Sequence, residues 1–264
     1  MPSPQAIRQV YQRNPLAEVI AQVRFDSILL IDTQTPAVFQ NVVRGDYPTY
    51  RATAVPAGIP PGIPQPLQRV IREMGAPGGL RQHLFGSQDA RWEVILTRES
   101  LALKTKAYVG WQDFEDRWLR IRNAFEQAYQ PVNSYASVNL RYVDVIQRSR
   151  LELSDVPWSE LLVPEVAGEL ASLHIGADID KMENSLHCRL DNDGSFLTLK
   201  TGIAFSKDGT RERCFSIDSD FHTHARVEPR NVQEIFQRFN RHSRDLFQWA
   251  IRDRLRVALQ PIPQ

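Results

Sequence analysis

The chain is 264 residues long and carries 32 lysines and arginines against 31 aspartates and glutamates, for a formal net charge of +1. Such a balance excludes a protein that coats nucleic acid with its whole surface, while leaving room for a local basic groove. The length supports one large domain or two modest ones with a real core, and the apolar fraction of 42% is ordinary for a globular protein.

No apolar run approaches the roughly 20 residues needed to span a bilayer. The N-terminal stretch MPSPQAIRQVYQRNP is polar and lacks the core of a signal peptide. Cys188 and Cys214 belong to no CxxC pair and read as two small buried or half-buried side chains, not a zinc framework. The expectation is a soluble cytoplasmic protein in a reducing compartment, with no cofactor.

In chain order, LAEVIAQVRFDSILLI at 16–31 predicts a strand. Ala17, Val19, Ala21, Val23 and Phe25 share one face, while Glu18, Gln22 and Arg24 share the other. Thr35 and Pro36 open a short helix, TPAVFQNVVRG, that Gly45 ends. Residues 55–79 are dense in proline and glycine, which forbids a sheet interior and predicts a long surface loop with one helical turn at PLQRVIREM. That loop could dock a partner, although it holds no PxxP ligand with basic flanks. LRQHLFGS, RWEVILTRES and LALKTKAYVG read as three strands. DFEDRWLRIRNAFEQAY is a helix with Phe114, Trp118, Ile121, Phe125 and Ala128 on one face, Asp113 as its N-cap and Pro131 as its stop.

The second half follows the same order. YASVNLRYVDVIQ is a strand, and PWSELLVPEVAGEL is helical but broken at Pro164. MENSLHCRLDNDGSFLTLKTGIAF is a hairpin turning at Asn192-Asp193-Gly194, residues suited to positive φ. RCFSIDSDFHTHARV is another strand. Asn231 with Glu234 resembles a capping box before one long final helix that buries Val232, Ile235, Phe236, Phe239, Leu246, Phe247 and Ala250. The expected fold is therefore α+β, with two similar strand-helix-three strands-helix halves, 1–132 and 133–264, each a sheet backed by helices. The opening strands echo each other in VRFDSI at 23–28 and LRYVDVI at 140–146. In both, an arginine (Arg24, Arg141) precedes an aromatic (Phe25, Tyr142), so the aromatic enters the core and the arginine faces away. Internal duplication explains the echo, and convergent patterning of two α+β halves is the alternative.

NPLAEVIAQVRF at 14–25 resembles the opening of a sporadically distributed, uncharacterised prokaryotic family with an Asn-Pro-Pro-Leu, Glu-Val and Ile-Arg-Phe signature. Asn14, Pro15, Leu16, Glu18, Val19, Arg24 and Phe25 match, with one proline missing. LRYVD at 140–144 matches that family's Leu-Arg-Tyr-Ile-Asn pattern except at Asp144, and HSRDLFQWAIRDRLR at 242–256 follows its C-terminal order of His, Phe, Ile and Arg-Leu. The resemblance spans start, middle and end, but its motifs are mostly apolar. It implies fold rather than chemistry and no settled activity. The family's patchy distribution implies horizontally moved genes, as in mobile or phage-defence clusters. The duplicated order is also similar to saddle-like folds of the TATA-binding-protein type, an analogy that does not fix function.

Two candidate surfaces follow. In DSDFHTHAR at 218–226, alternation puts Asp218, Asp220, His222, His224 and Arg226 on the face opposite Phe221. His222 and His224 could share a metal, with Asp220 as a third ligand if the strand bulges, and a metal-dependent hydrolase would then follow. The alternative is a polar strand face. Elsewhere, Arg24, Lys104, Lys106, Arg141, Lys200 and Arg226 fall on the side away from the core and could form a basic sheet surface for nucleic acid or a protein partner. Tyr108 is the one obvious stacking aromatic beside the lysines. DNDG at 191–194 lacks the oxygen series of a calcium loop, GAPGG at 75–79 lacks the lysine of a phosphate loop, and His187 and Cys188, as strand neighbours, point apart. The expectation is a non-catalytic binding module, with a protein partner first, nucleic acid second, no membrane, and a homodimer open.

Overall fold

A computed structural model of the chain describes residues 9–55, 80–172, 174–176, 178–191, 194–206 and 208–262. The proline- and glycine-rich loop lies almost wholly outside the described residues, as do Asn192 and Asp193 of the expected hairpin turn. The fold mixes helices with an antiparallel sheet, as α+β patterning predicts. It divides into two compact units. The first comprises Ile20–Ser137 with Val227–Pro229, and the second comprises Met1–Val19, Val138–Arg226 and Arg230–Gln264. Among the described residues, 9–19 group with the C-terminal half.

A short pairing explains part of that grouping. β1 (Val10–Tyr11) runs antiparallel to β11 (Pro261–Ile262), and the Tyr11 hydroxyl donates to Gln248 Oε1 at 3.0 Å. Neither strand is legible from periodicity, because each has only two residues.

β2 (Leu16–Arg24), which enters the first unit at Ile20, buries Val19, Ala21 and Val23 as the alternation predicts, while Ala17, expected on the same face, is exposed. The strand is shorter than expected. Leu30–Thr33 forms the short helix α1, so the apolar run Leu29-Leu30-Ile31 turns out of the sheet. Helix α2 (Ala37–Val43) follows Pro36, and β3 (Thr49–Val55) adds a strand that the sequence reading missed. β4 (Leu80–Gly86), β5 (Trp92–Thr97) and β6 (Ser100–Thr105) complete the run in the order β3-β4-β5-β6-β2. Helix α3 (Trp111–Tyr129) buries Phe114, Trp118, Ile121 and Phe125, as its stripe requires. Its N-cap is Gly110, not Asp113. Asp113 sits in the first turn, where it accepts from Arg117 Nε at 3.0 Å one turn later.

His83 of β4 is fully buried in this unit. Its Nε2 lies 2.9 Å from the Ile31 carbonyl and its Nδ1 lies 3.0 Å from the Tyr50 hydroxyl. A carbonyl can only accept, so Nε2 carries the proton and Nδ1 accepts from the tyrosine. Burial pushes the imidazole below its ordinary value, which keeps it neutral in this role.

In the second unit, β7 (Ser137–Ile146), β10 (Arg213–Thr223), β9 (Ser195–Phe205) and β8 (Glu183–Arg189) are hydrogen-bonded in that order. The helical segment between β7 and β8 breaks at Pro164 into α4 (Trp158–Leu161) and α5 (Pro164–Ala167), as expected. The final helix is not continuous. α6 (Val232–Ala250) ends where Ile251 bridges Leu162, and α7 (Asp253–Ala258) begins afresh. Val163 N–H takes the Ala250 carbonyl and Arg252 N–H takes the Leu161 carbonyl, so a tertiary contact breaks the helix without proline or glycine. Asn231 precedes α6 with helical backbone angles and no side-chain cap bond, so the capping box does not form.

Gly202 of β9 shows how tightly β8 is laid down. A Cβ there would sit 2.1 Å from the Met182 carbonyl oxygen, a backbone atom that also accepts from Ile203 N–H. Gly202→Ala is expected to lower stability by about 1–3 kcal/mol through forced displacement of the start of β8. Unchanged urea midpoints for the variant would show that this approach is not tight.

Candidate functional site

Of the expected basic residues, Arg24, Lys104 and Lys106 belong to the first unit, whereas Arg141, Lys200 and Arg226 belong to the second, as do His222 and His224. In the second unit, the core side of the sheet packs on α6, with Phe221 against Phe239 at 5.9 Å and the Tyr142 hydroxyl donating to Asn240 Oδ1 at 2.9 Å. The opposite side is polar. Register places Arg141, Asp220, Thr198 and His187 in one cross-strand row, and Asn139, His222, Phe196 and Arg189 in the next. A third row sets Lys200 beside Asp218.

These rows decide what the cations do. Arg141 grips both oxygens of Asp218, at 2.7 Å from Nε and 2.5 Å from Nη2. That bidentate bond holds the guanidinium firmly charged. Lys200 faces the same carboxylate across the ladder, and Arg226 is exposed past the end of β10. The aspartates that interrupt the expected basic surface therefore compensate much of its charge in this unit. Asp220 is largely enclosed, and burial raises its carboxyl above the usual range.

His222 and His224 do come together, and they are joined by His187 from β8. The candidate ligand atoms of the three imidazoles all lie within 4.8 Å of one another, while Asp220 is outside that group. Phe196 of β9 forms the floor, its ring centroid 4.2 Å from His224 and 5.1 Å from His187. His187 Nδ1 lies 3.2 Å from Thr198 Oγ1, and His222 Nδ1 lies 3.2 Å from the Asp220 carbonyl oxygen. In the sequence His187 is notable only as the neighbour of Cys188, and its meeting with His222 and His224 is not legible there. Cys214 is buried, and burial first, then Glu212 and Asp208, pushes its thiol up to about 11, which leaves it protonated and unreactive.

In the first unit, Lys104 and Lys106 line a cleft of about 440 Å³ on β3 to β6. Arg51 and Arg91 line it too, and Glu93 is the one acid among its lining residues. Glu93 lies opposite Lys104 in the ladder and accepts from Arg51 Nη2 at 2.8 Å. Gly86 is also part of the wall, and a Cβ there would meet Thr49 Oγ1 at 2.6 Å. Arg24 occupies a different hollow, beside Asp26 and Glu99. Tyr108 packs on Phe114 at 5.9 Å, so the stacking aromatic expected beside the lysines is engaged with α3. Sequence alone found the lysines but not Arg51, whose strand it missed, or Arg91, which sits in a turn.

No family model matches this chain, and no curated protein matches it. No described helix is long and apolar enough to cross a membrane.

Proposed function

We propose that this protein is a non-catalytic binding module that receives an anionic partner in the basic cleft of its first unit. The observation that carries this reading is the convergence of Arg51, Arg91, Lys104 and Lys106 on one cleft with Glu93 as its only lining acid. Cations held on or beside adjacent strands are kept close together, and a polyanion gains affinity by releasing its counterions to solvent when it meets them. Among the two partner classes, nucleic acid fits this chemistry better than an uncharged protein surface, because phosphate contact needs no shape-specific pocket. The resemblance to the sporadically distributed family would place such a module in a mobile or phage-defence gene cluster.

The same reading takes the two units as copies of one ancestral element. What supports it is a partly shared strand order, with four strands after the opening one in the first unit and three in the second. In each unit the opening strand lies beside the last strand of the following run, β2 beside β6 and β7 beside β10. Phe25 and Tyr142 are both buried, while Arg24 is exposed and Arg141 half-buried.

The test is fluorescence anisotropy of labelled single-stranded and duplex oligonucleotides across a salt series. Lys104→Ala with Lys106→Ala is expected to weaken binding about tenfold or more and to reduce the slope of log affinity against log salt by about 2. Binding that ignores both salt and the double substitution would remove the cleft from consideration. Absence of oligonucleotide binding, with capture of an acidic protein segment instead, would move the reading to a protein partner.

A further inference from the structure

We propose that His187, His222 and His224 form a binding site for one divalent transition-metal ion of the zinc class. The site belongs to the second unit and the basic cleft to the first, and neither reading depends on the other. It is assembled from β8 and from the end of β10, with β9 between them supplying Phe196 as a flat apolar floor. The ladder makes the meeting possible. His222 lies opposite Phe196, His187 lies opposite Thr198, and Phe196 and Thr198 are two residues apart on the same face of β9. His224 comes two residues after His222, and its backbone N–H is held by the Gly194 carbonyl at 3.0 Å.

The ring nitrogens are already sorted for ligation. A carbonyl oxygen accepts only, so the Nδ1 of His222 that faces the Asp220 carbonyl carries the proton and leaves Nε2 with its lone pair outward. The Thr198 hydroxyl can accept from Nδ1 of His187 in the same way. Metal-bound histidines commonly anchor their second nitrogen on such an oxygen, which fixes the tautomer and aims the ligand atom. The remaining adjustment is small. The candidate atoms lie within 4.8 Å of one another, and tetrahedral zinc with bonds of about 2.0–2.1 Å needs nitrogens about 3.3 Å apart. His187 and His224 are exposed, so rotation of their side chains closes that gap without disturbing the core.

Three imidazoles select the ion. Calcium and magnesium require oxygen ligands, whereas zinc, copper, nickel and cobalt accept nitrogen. Three protein ligands leave a fourth position for water or for an anionic group of a partner. The hydrolase reading of His222 and His224 would need this site as its first condition, but ion binding itself requires no turnover.

The experiment titrates the full chain, stripped with chelator, with Zn2+ alone against a chromogenic competitor and with Co2+ alone for its visible absorption. One ion per chain is expected, at micromolar affinity or tighter, with the intense cobalt bands of a four- or five-coordinate site. His187→Ala, His222→Ala and His224→Ala are each expected to weaken binding at least tenfold. His187→Gln and His224→Gln, both at exposed positions, repeat the test where folding is not at risk, and circular dichroism checks every variant. Affinity unchanged by loss of His187 overturns the three-histidine site, as does binding that survives in the triple variant or the absence of saturable binding below about millimolar metal.

Discussion

Replacing Asp144 with asparagine is expected to leave the protein more stable than the parent chain at pH 8, by on the order of 4 kcal/mol, and nearly equal to it at pH 4. Asp144 lies on the core face of β7, between Tyr142 and Ile146, opposite Ile217 of β10. It is 7% exposed. Burial alone pushes its carboxyl up to about 7. Between the unfolded value near 3.8 and the folded value near 7, the folded chain holds a proton that the unfolded chain has released. The stabilisation associated with that proton is fully present below about pH 4 and is lost as pH rises through 7. Asparagine cannot ionise, so it keeps the shape of the neutral acid without the penalty. Urea unfolding of both proteins at pH 4, 6 and 8 would read this directly. A difference between the two that stays constant over this range would mean that the carboxylate is not perturbed.

Phe85→Ala is expected to cost about 3–5 kcal/mol, the usual range for emptying a fully buried phenylalanine site. Phe85 is completely enclosed and touches Phe39 of α2 edge-on at 5.1 Å and Tyr50 of β3 at 5.3 Å. Tyr50 in turn holds His83, whose other nitrogen fastens the carbonyl at the start of α1. The cavity would therefore loosen a set of partners around α1, α2 and β3 and not a single contact. Phe85→Leu should recover more than half of the loss, because most of the volume returns. Chemical denaturation with both variants decides the matter, and equal loss for alanine and leucine would argue for a specific ring interaction over a cavity.

The elements most legible in the sequence are those whose environment is one-sided. The stripe of α3 and the alternation in β7 and β10 predict the buried residues well, since a half-buried helix or strand writes its period into the chain. β3 was missed because TYRATAV shows little apolar contrast. The break between α6 and α7 was missed because its cause is Leu162, nearly ninety residues away, and not a local breaker. The candidate site divides in the same manner. His222 and His224 are visible as a pair at a spacing of two. A turn centred on Asn192-Asp193 would already set His187 opposite Thr198, so half of the third histidine's placement was available. The other half, the pairing of Phe196 with His222, follows the connection between β9 and β10, whose length does not specify a register.

Sequence by itself determined the α+β class, the inward faces of the long elements, the proline break between α4 and α5, and the outward placement of Lys104, Arg141 and His222. Periodicity and backbone chemistry act within one segment and need no partner to be read. Only the tertiary structure decided that Arg141 serves Asp218, that Arg51 and Arg91 join the two lysines, and that His187 completes a trio over Phe196. Those outcomes depend on strand register and order. Both are set by packing between segments far apart in the chain, where shifting one strand by a single residue would turn every one of its side chains to the opposite face.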